Sequence, residues 1–158
     1  MAEFDLSRLA AEDEITRLMF AYCSTIDTGN LDATAALFAK GTWYLNPDSP
    51  LSGTDDIAAF LNDSVILYEG VPATRHVVSN IRIELAPDRR SAHVDSYVIV
   101  FQCLPGSVPK IMFQGAFDDT FAHDGSAWHF DVRRIHTDGT GDMSGHLRGA
   151  QPVAAGSP

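Results

Sequence analysis

The amino-acid sequence predicts an α+β domain in which helices come first and an antiparallel sheet follows. Three observations carry this. Ile15, Leu18, Met19, Tyr22 and Ile26 recur at steps of three or four, the period of one helix face. From residue 74 onward the apolar residues crowd into long runs rich in Val, Ile, Tyr and Phe, which favour strands. Short turns separate those runs, as in an antiparallel meander. Helices followed by strands place the helices on one face of a curved sheet.

The elements follow in order. Ser7 reads as the N-cap of the first helix, and Thr28-Gly29-Asn30 stops it. A second, short helix spans residues 31–38, with Leu31, Ala35, Leu37 and Phe38, before Gly41 breaks it. Residues 42–45 form a brief strand and residues 46–50 (Asn-Pro-Asp-Ser-Pro) a loop. Ser52, Thr54 or Asp55 caps a third helix carrying Ile57, Phe60, Leu61 and Ile66, which ends at Gly70-Val71-Pro72. Four strands are expected at residues 74–85, 91–104, 110–121 and 128–136. No aromatic residue follows Phe130, and five of the twelve glycines lie between Gly139 and Gly156. Residues 1–138 are therefore expected to form the domain, and residues 139–158 a glycine-rich tail that frays or lies over a neighbour.

At 158 residues the chain has the length of one domain. Its 21 acidic against 11 basic side chains leave a net charge of −10. That sign disfavours nucleic acid and anionic membrane surfaces and points to small-molecule or protein partners. Two cysteines, Cys23 and Cys103, make neither a disulfide framework nor a four-ligand zinc site. There is no apolar run of membrane-spanning length, and the acidic opening segment has no secretion signal, so a cytoplasmic location is expected. Phosphate-binding glycine loops, a Gly-x-Ser-x-Gly elbow and a Cys-x-x-Cys pair are absent from the sequence.

Some residues invite a chemical reading. Asp27 ends the long helix, where a carboxylate opposes the helix dipole; alone it reads as a solvated helix-end aspartate. His76 opens the first long strand and alone reads as a strand-end histidine touching water. Paired, the aspartate would fix the imidazole tautomer and support its protonated form, making a base near neutral pH. Strand alternation groups Met112, Gln114 and Ala116 on one face, against Ile111, Phe113, Gly115 and Phe117 on the other. Gln114 then needs a partner or a cavity. His93-x-Asp95, joined by His129 or His136, has the composition of a facial-triad iron site. The same spacing recurs at His129-x-Asp131, and alternation produces such pairs on any half-exposed strand, so no metal is expected. Val94, Val98 and Val100 on one parity and Tyr97, Ile99 and Phe101 on the other leave both sheet faces apolar and in need of cover.

Several segments together resemble a known family. They are Glu14-Ile15-Thr16-Arg17-Leu18, Tyr22, Asp27-Thr28-Gly29-Asn30-Leu31-Asp32, Leu37-Phe38, Gly53, Thr74-Arg75-His76-Val77-Val78-Ser79-Asn80 and Asp124-Gly125-Ser126-Ala127-Trp128. Their order and spacing resemble the SnoaL-like branch of the NTF2-like superfamily over roughly residues 7–138, whose relatives include scytalone dehydratase, ketosteroid isomerase and polyketide cyclases. The resemblance implies a cone: three N-terminal helices packed on a curved, mixed but mostly antiparallel sheet enclosing a cavity. It matches Asp27 and His76 to an Asp–His dyad in which the histidine removes a substrate proton and the aspartate orients it. Ile26 stands where the dehydratase branch has a tyrosine; a second tyrosine position falls near Asn46, with Tyr44 two residues away. Gln114 falls near a polar cavity position and is a candidate replacement donor. The implied pocket comprises Tyr22, Ile26, Tyr44, Asn46, Phe60, Tyr97, Met112 and Gln114. The implied activity is cofactor-independent dehydration, elimination or isomerisation of a small hydrophobic cyclic molecule, that is, a lyase or isomerase working as a homodimer or higher homo-oligomer. The alternatives are a non-catalytic binder of hydrophobic ligands and the small subunit of a ring-hydroxylating dioxygenase.

Overall fold

In the computed structural model, which describes residues 5–152, helix α1 (Leu6–Asp27) buries Ala11, Ile15, Met19, Tyr22 and Ile26 in one stripe. Its N-cap is Asp5, not Ser7. The Asp5 carboxylate accepts the Arg8 N–H at 3.1 Å and the Ser7 hydroxyl at 2.9 Å, and its charge complements the helix dipole. Helix α2 (Leu31–Ala36) is capped by the Asn30 side chain and tightens into turns through Leu37 and Phe38. Strands β1 (Thr42–Tyr44) and β2 (Pro50–Ser52) pair antiparallel. The sequence hides β2, because a proline-flanked edge strand of three residues reads as loop. Helix α3 (Gly53–Ser64) ends before Ile66 and has no side-chain cap bond from Ser52.

Four long strands complete the sheet: β3 (Thr74–Leu85), β4 (Ser91–Gln102), β5 (Lys110–His123) and β6 (Trp128–Thr140). The order is β2-β1-β6-β5-β4-β3, and only the β1–β6 pairing is parallel. The last strand thus returns beside the first, and the sheet is mixed and open. The core lies between the helices and the inner face, with Ile15, Met19, Phe38, Ile57, Val94, Val98, Phe121 and Phe130 at its centre. Each such side chain contributes roughly 1.5–3 kcal/mol by leaving water. Val77, Tyr97, Ile99 and Ile111 remain exposed on the outer face.

Two features depart from simple alternation. Val100 pairs with Phe113 but Phe101 pairs with Ile111, so Met112 is the extra residue of a β-bulge. The bulge turns Met112 inward beside Phe113 and sends Gln114 outward. At Gly115 a Cβ would stand 2.0 Å from the His136 carbonyl oxygen, so only glycine lets β6 approach so closely there.

The stretch after β6 does not fray, despite its glycines. Residues 141–150 fold back along α3. Arg148 donates its backbone N–H to the Ser64 carbonyl at 2.8 Å, and its guanidinium to the Asn62 and Asp63 carbonyls at 2.9 and 2.7 Å. These carbonyls belong to the last turn of α3 and have no partner inside the helix. A cation there also suits the negative end of the dipole. Capping a helix end, rather than aromatic packing, anchors the segment. Residues 153–158 of the expected tail lie outside the described residues. No described helix is long and apolar enough to cross a membrane.

Candidate active site

Asp27 and His76 meet although 49 positions separate them. The His76 Nδ1–H donates to Asp27 Oδ1 at 2.7 Å, the His76 backbone N–H donates to Oδ2 at 2.7 Å, and the Thr74 hydroxyl donates to Oδ1 at 2.8 Å. Burial pushes the Asp27 carboxyl up, but these donors and the imidazole more than offset it and hold it below the usual carboxylate range. An ionised carboxylate only accepts, so the Nδ1 proton is fixed and Nε2 of neutral His76 carries the free lone pair. The turn after α1 aims the aspartate. Gly29 has φ +77°, and a Cβ there would lie 2.0 Å from the Gly70 carbonyl oxygen. Gly29→Ala is therefore expected to destabilise the protein by more than about 1 kcal/mol in urea denaturation.

His76 opens on a cavity of about 180 Å³. Its walls are almost wholly apolar: Ile26 and Tyr22 from α1, Phe60 and Leu61 from α3, Met112 and Phe117 from β5. The Tyr22 ring stands edge-on to the His76 ring with centroids 5.8 Å apart, which limits imidazole rotation. The Asp27 and His76 side chains are only 4% and 7% exposed, so the ion pair that forms on protonation is weakly screened. A placed base with an oriented tautomer, a supporting carboxylate and a largely apolar pocket can take a proton from a bound organic molecule.

The SnoaL-like domain model matches residues 7–134. The chain belongs to the SnoaL-like family. A proposed scytalone dehydratase from Novosphingobium aromaticivorans superposes with a TM-score of 0.69 at 25% identity, over 95% of this chain and 97% of its own. ActVI-ORFA from Streptomyces coelicolor does so with a TM-score of 0.68 at 18% identity, over 80% and 97%. LinA reaches 0.70 at 16% identity, over 96% and 99%. The latter two are likenesses of fold. No curated protein sequence matches the chain.

Within this SnoaL-like cavity the structure gathers Tyr22, Ile26, Phe60 and Met112 of the expected pocket residues, together with His76. Tyr97 and Gln114 are instead on the outer face, Gln114 because of the Met112 bulge and Tyr97 because Ser96 and Val98 take the inward positions of β4. Tyr44 points away from the cavity under the Arg134 guanidinium, 5.0 Å from its ring centroid, while its neighbour Trp43 faces in. Asn46 is exposed and accepts the Asp48 N–H in a turn. His93 also faces outward: its Nε2 lies 2.9 Å from Asp118 Oδ1 and 3.8 Å from Asp95 Oδ1, and His136 Nε2 lies 3.7 Å from Asp118 Oδ2. Among the described residues no three His, Cys, Asp or Glu side chains are grouped to hold a metal ion.

Four contributing residues fall outside the pocket the sequence predicts. Arg133 and Asp119, fully buried below Tyr22, form a two-pronged ion pair at 2.8 and 2.7 Å. The guanidinium lies 4.3 Å from the Tyr22 ring centroid and 3.9 Å from that of Phe117, two rings that wall the cavity. Trp43 enters the cavity wall through the parallel β1–β6 pairing, and its buried indole N–H has no partner among the described residues. His146 lines the cavity from residues 141–150. Burial, then the nearby His76, push its imidazole down to about 4, with Asp27 opposing weakly. An unfolded histidine titrates near 6.5. The folded value is depressed, so this contribution to stability is fully present above about 6.5 and is lost as pH falls towards 4. Urea denaturation is expected to show a loss of about 2–3 kcal/mol across that window, beyond the loss in His146→Leu.

Proposed function

We propose that the protein is a cofactor-independent lyase or isomerase that uses His76 as a general base on a small, hydrophobic, cyclic substrate. The observation that carries this reading is the 2.7 Å Asp27–His76 contact at the wall of an apolar cavity. In the elimination form, Nε2 takes a proton from a carbon beside a carbonyl. The C–H electron pair becomes the new double bond, and a β-hydroxyl leaves with a proton returned by the imidazolium, as water. In the isomerisation form the same imidazolium returns the proton to another carbon. Asp27 stays ionised throughout and lowers the energy of the imidazolium.

The test is a panel of cyclic β-hydroxy ketones, followed by the ultraviolet absorbance of the enone product. The wild-type protein is expected to accelerate enone formation from at least one member, and His76→Ala to lose about 10²–10⁴-fold of that acceleration. Equal rates in the two proteins would overturn the base assignment. Saturable binding without product in the wild type would favour a carrier of hydrophobic ligands instead.

A further inference from the structure

We infer that His146 is a second substrate-binding residue, one that hydrogen-bonds a hydroxyl or carbonyl oxygen of the molecule held before His76. The inference deepens the proposed function and rests on its reading of the cavity as a substrate site.

Four observations support it. His146 is 7% exposed, lines the same cavity as His76, and its buried Nδ1 has no hydrogen-bond partner among the described residues. A buried polar atom left unpaired is costly, and its neighbours Met143 and Leu147 line the same wall without that cost. The residue is also held firmly. Its backbone carbonyl accepts the Ile66 N–H at 2.8 Å and its N–H donates to the Met143 carbonyl at 2.9 Å. The adjacent Gly145 carbonyl accepts from the Tyr68 hydroxyl and from Gln102 Nε2, each at 2.8 Å. Both Asp27 oxygens already accept from His76 and Thr74.

Burial keeps this imidazole neutral at ordinary pH, so it presents one donor nitrogen and one acceptor nitrogen. That pair suits a hydroxyl, which donates and accepts, and also a carbonyl, which accepts. An anion could use only the donor nitrogen and would find no positive charge on this ring to balance it. His146 would thereby choose which end of an otherwise apolar ring lies towards His76.

The test compares 1-tetralol with tetralin, the same bicyclic skeleton with and without a hydroxyl, in calorimetric binding to the full-length protein. The ratio of the tetralin Kd to the tetralol Kd is expected to fall roughly five- to tenfold in His146→Leu and much less in His146→Gln. An unchanged ratio in His146→Leu would overturn the inference, as would a ratio that falls only in His76→Ala. If His146→Leu does not fold, the imidazole ¹⁵N shifts of wild-type His146 decide: tetralol should move them and tetralin should not, and equal responses overturn the inference. Failure of enone formation with the ratio behaving as expected would remove the proposed chemistry and leave this contact standing. Failure of wild-type protein to bind either compound would overturn both.

Discussion

Asp27→Asn is expected to fold and to lose about 10²–10⁴-fold in turnover, with little change in substrate affinity. The carboxylate accepts three hydrogen bonds, two at Oδ1 and one at Oδ2. Asparagine has one oxygen and one NH₂ group. If its oxygen keeps the imidazole and Thr74, the NH₂ faces the His76 backbone N–H, donor against donor. If the amide flips, the NH₂ faces Nδ1 and draws the Nε2-protonated tautomer, and the base then has no lone pair towards the substrate. In either orientation the imidazolium loses its counter-charge. Enone kinetics and the ¹⁵N tautomer signature of His76 check both parts. Turnover near the wild-type level would sink the dyad mechanism.

Asp119→Ala is expected to destabilise the protein by about 3–5 kcal/mol, because it leaves the Arg133 guanidinium buried with no counter-ion. Arg133 and Asp119 are both 0% exposed, and Nη1 of Arg133 already lacks a hydrogen-bond partner among the described residues. Burial alone would lower the Arg133 pKa, but the Asp119 carboxylate reverses this and holds the guanidinium charged. The aromatic faces of Tyr22 and Phe117 soften the charge without replacing its anion. The double replacement Asp119→Leu with Arg133→Met removes both charges and is expected to recover most of the loss. Urea denaturation of the three variants checks this; equal instability in single and double variants would show that packing, not charge, dominates.

The sequence made the helices and long strands legible because their signals are local. Ile15 to Ile26 sit on one helical stripe, and β3 spans residues 74–85 as its Val- and Ile-rich run predicts. The Asp27–His76 pairing was legible only through resemblance, since no local signal spans 49 residues. The pocket was half legible. Alternation sorts side chains correctly until an extra residue enters, and Met112 is such a residue, so Met112 and Gln114, expected on one face, lie on opposite ones and Gln114 sits outside the pocket that the resemblance implies for it. Asp119 had a usable signal, for it shares the inward parity of Phe117 and Phe121. Its charge argued for solvent and masked that signal; Arg133 was hidden further by the register shift opposite Thr120 and Phe121. His146 fell in a stretch whose glycines suggested no packing, and only the open carbonyls of α3 explain why it packs.

The match to the SnoaL-like domain ends at residue 134, but the cavity wall does not. Ile135, Thr137, Met143, His146 and Leu147 all lie beyond it. The matched segment therefore holds Asp27 and His76, while the end of β6 and residues 141–150 add further wall. A graft of residues 141–150 alone, attached through the same Arg148 clamp on α3, offers a way to change what the cavity accepts while the Asp27–His76 pair stays in place.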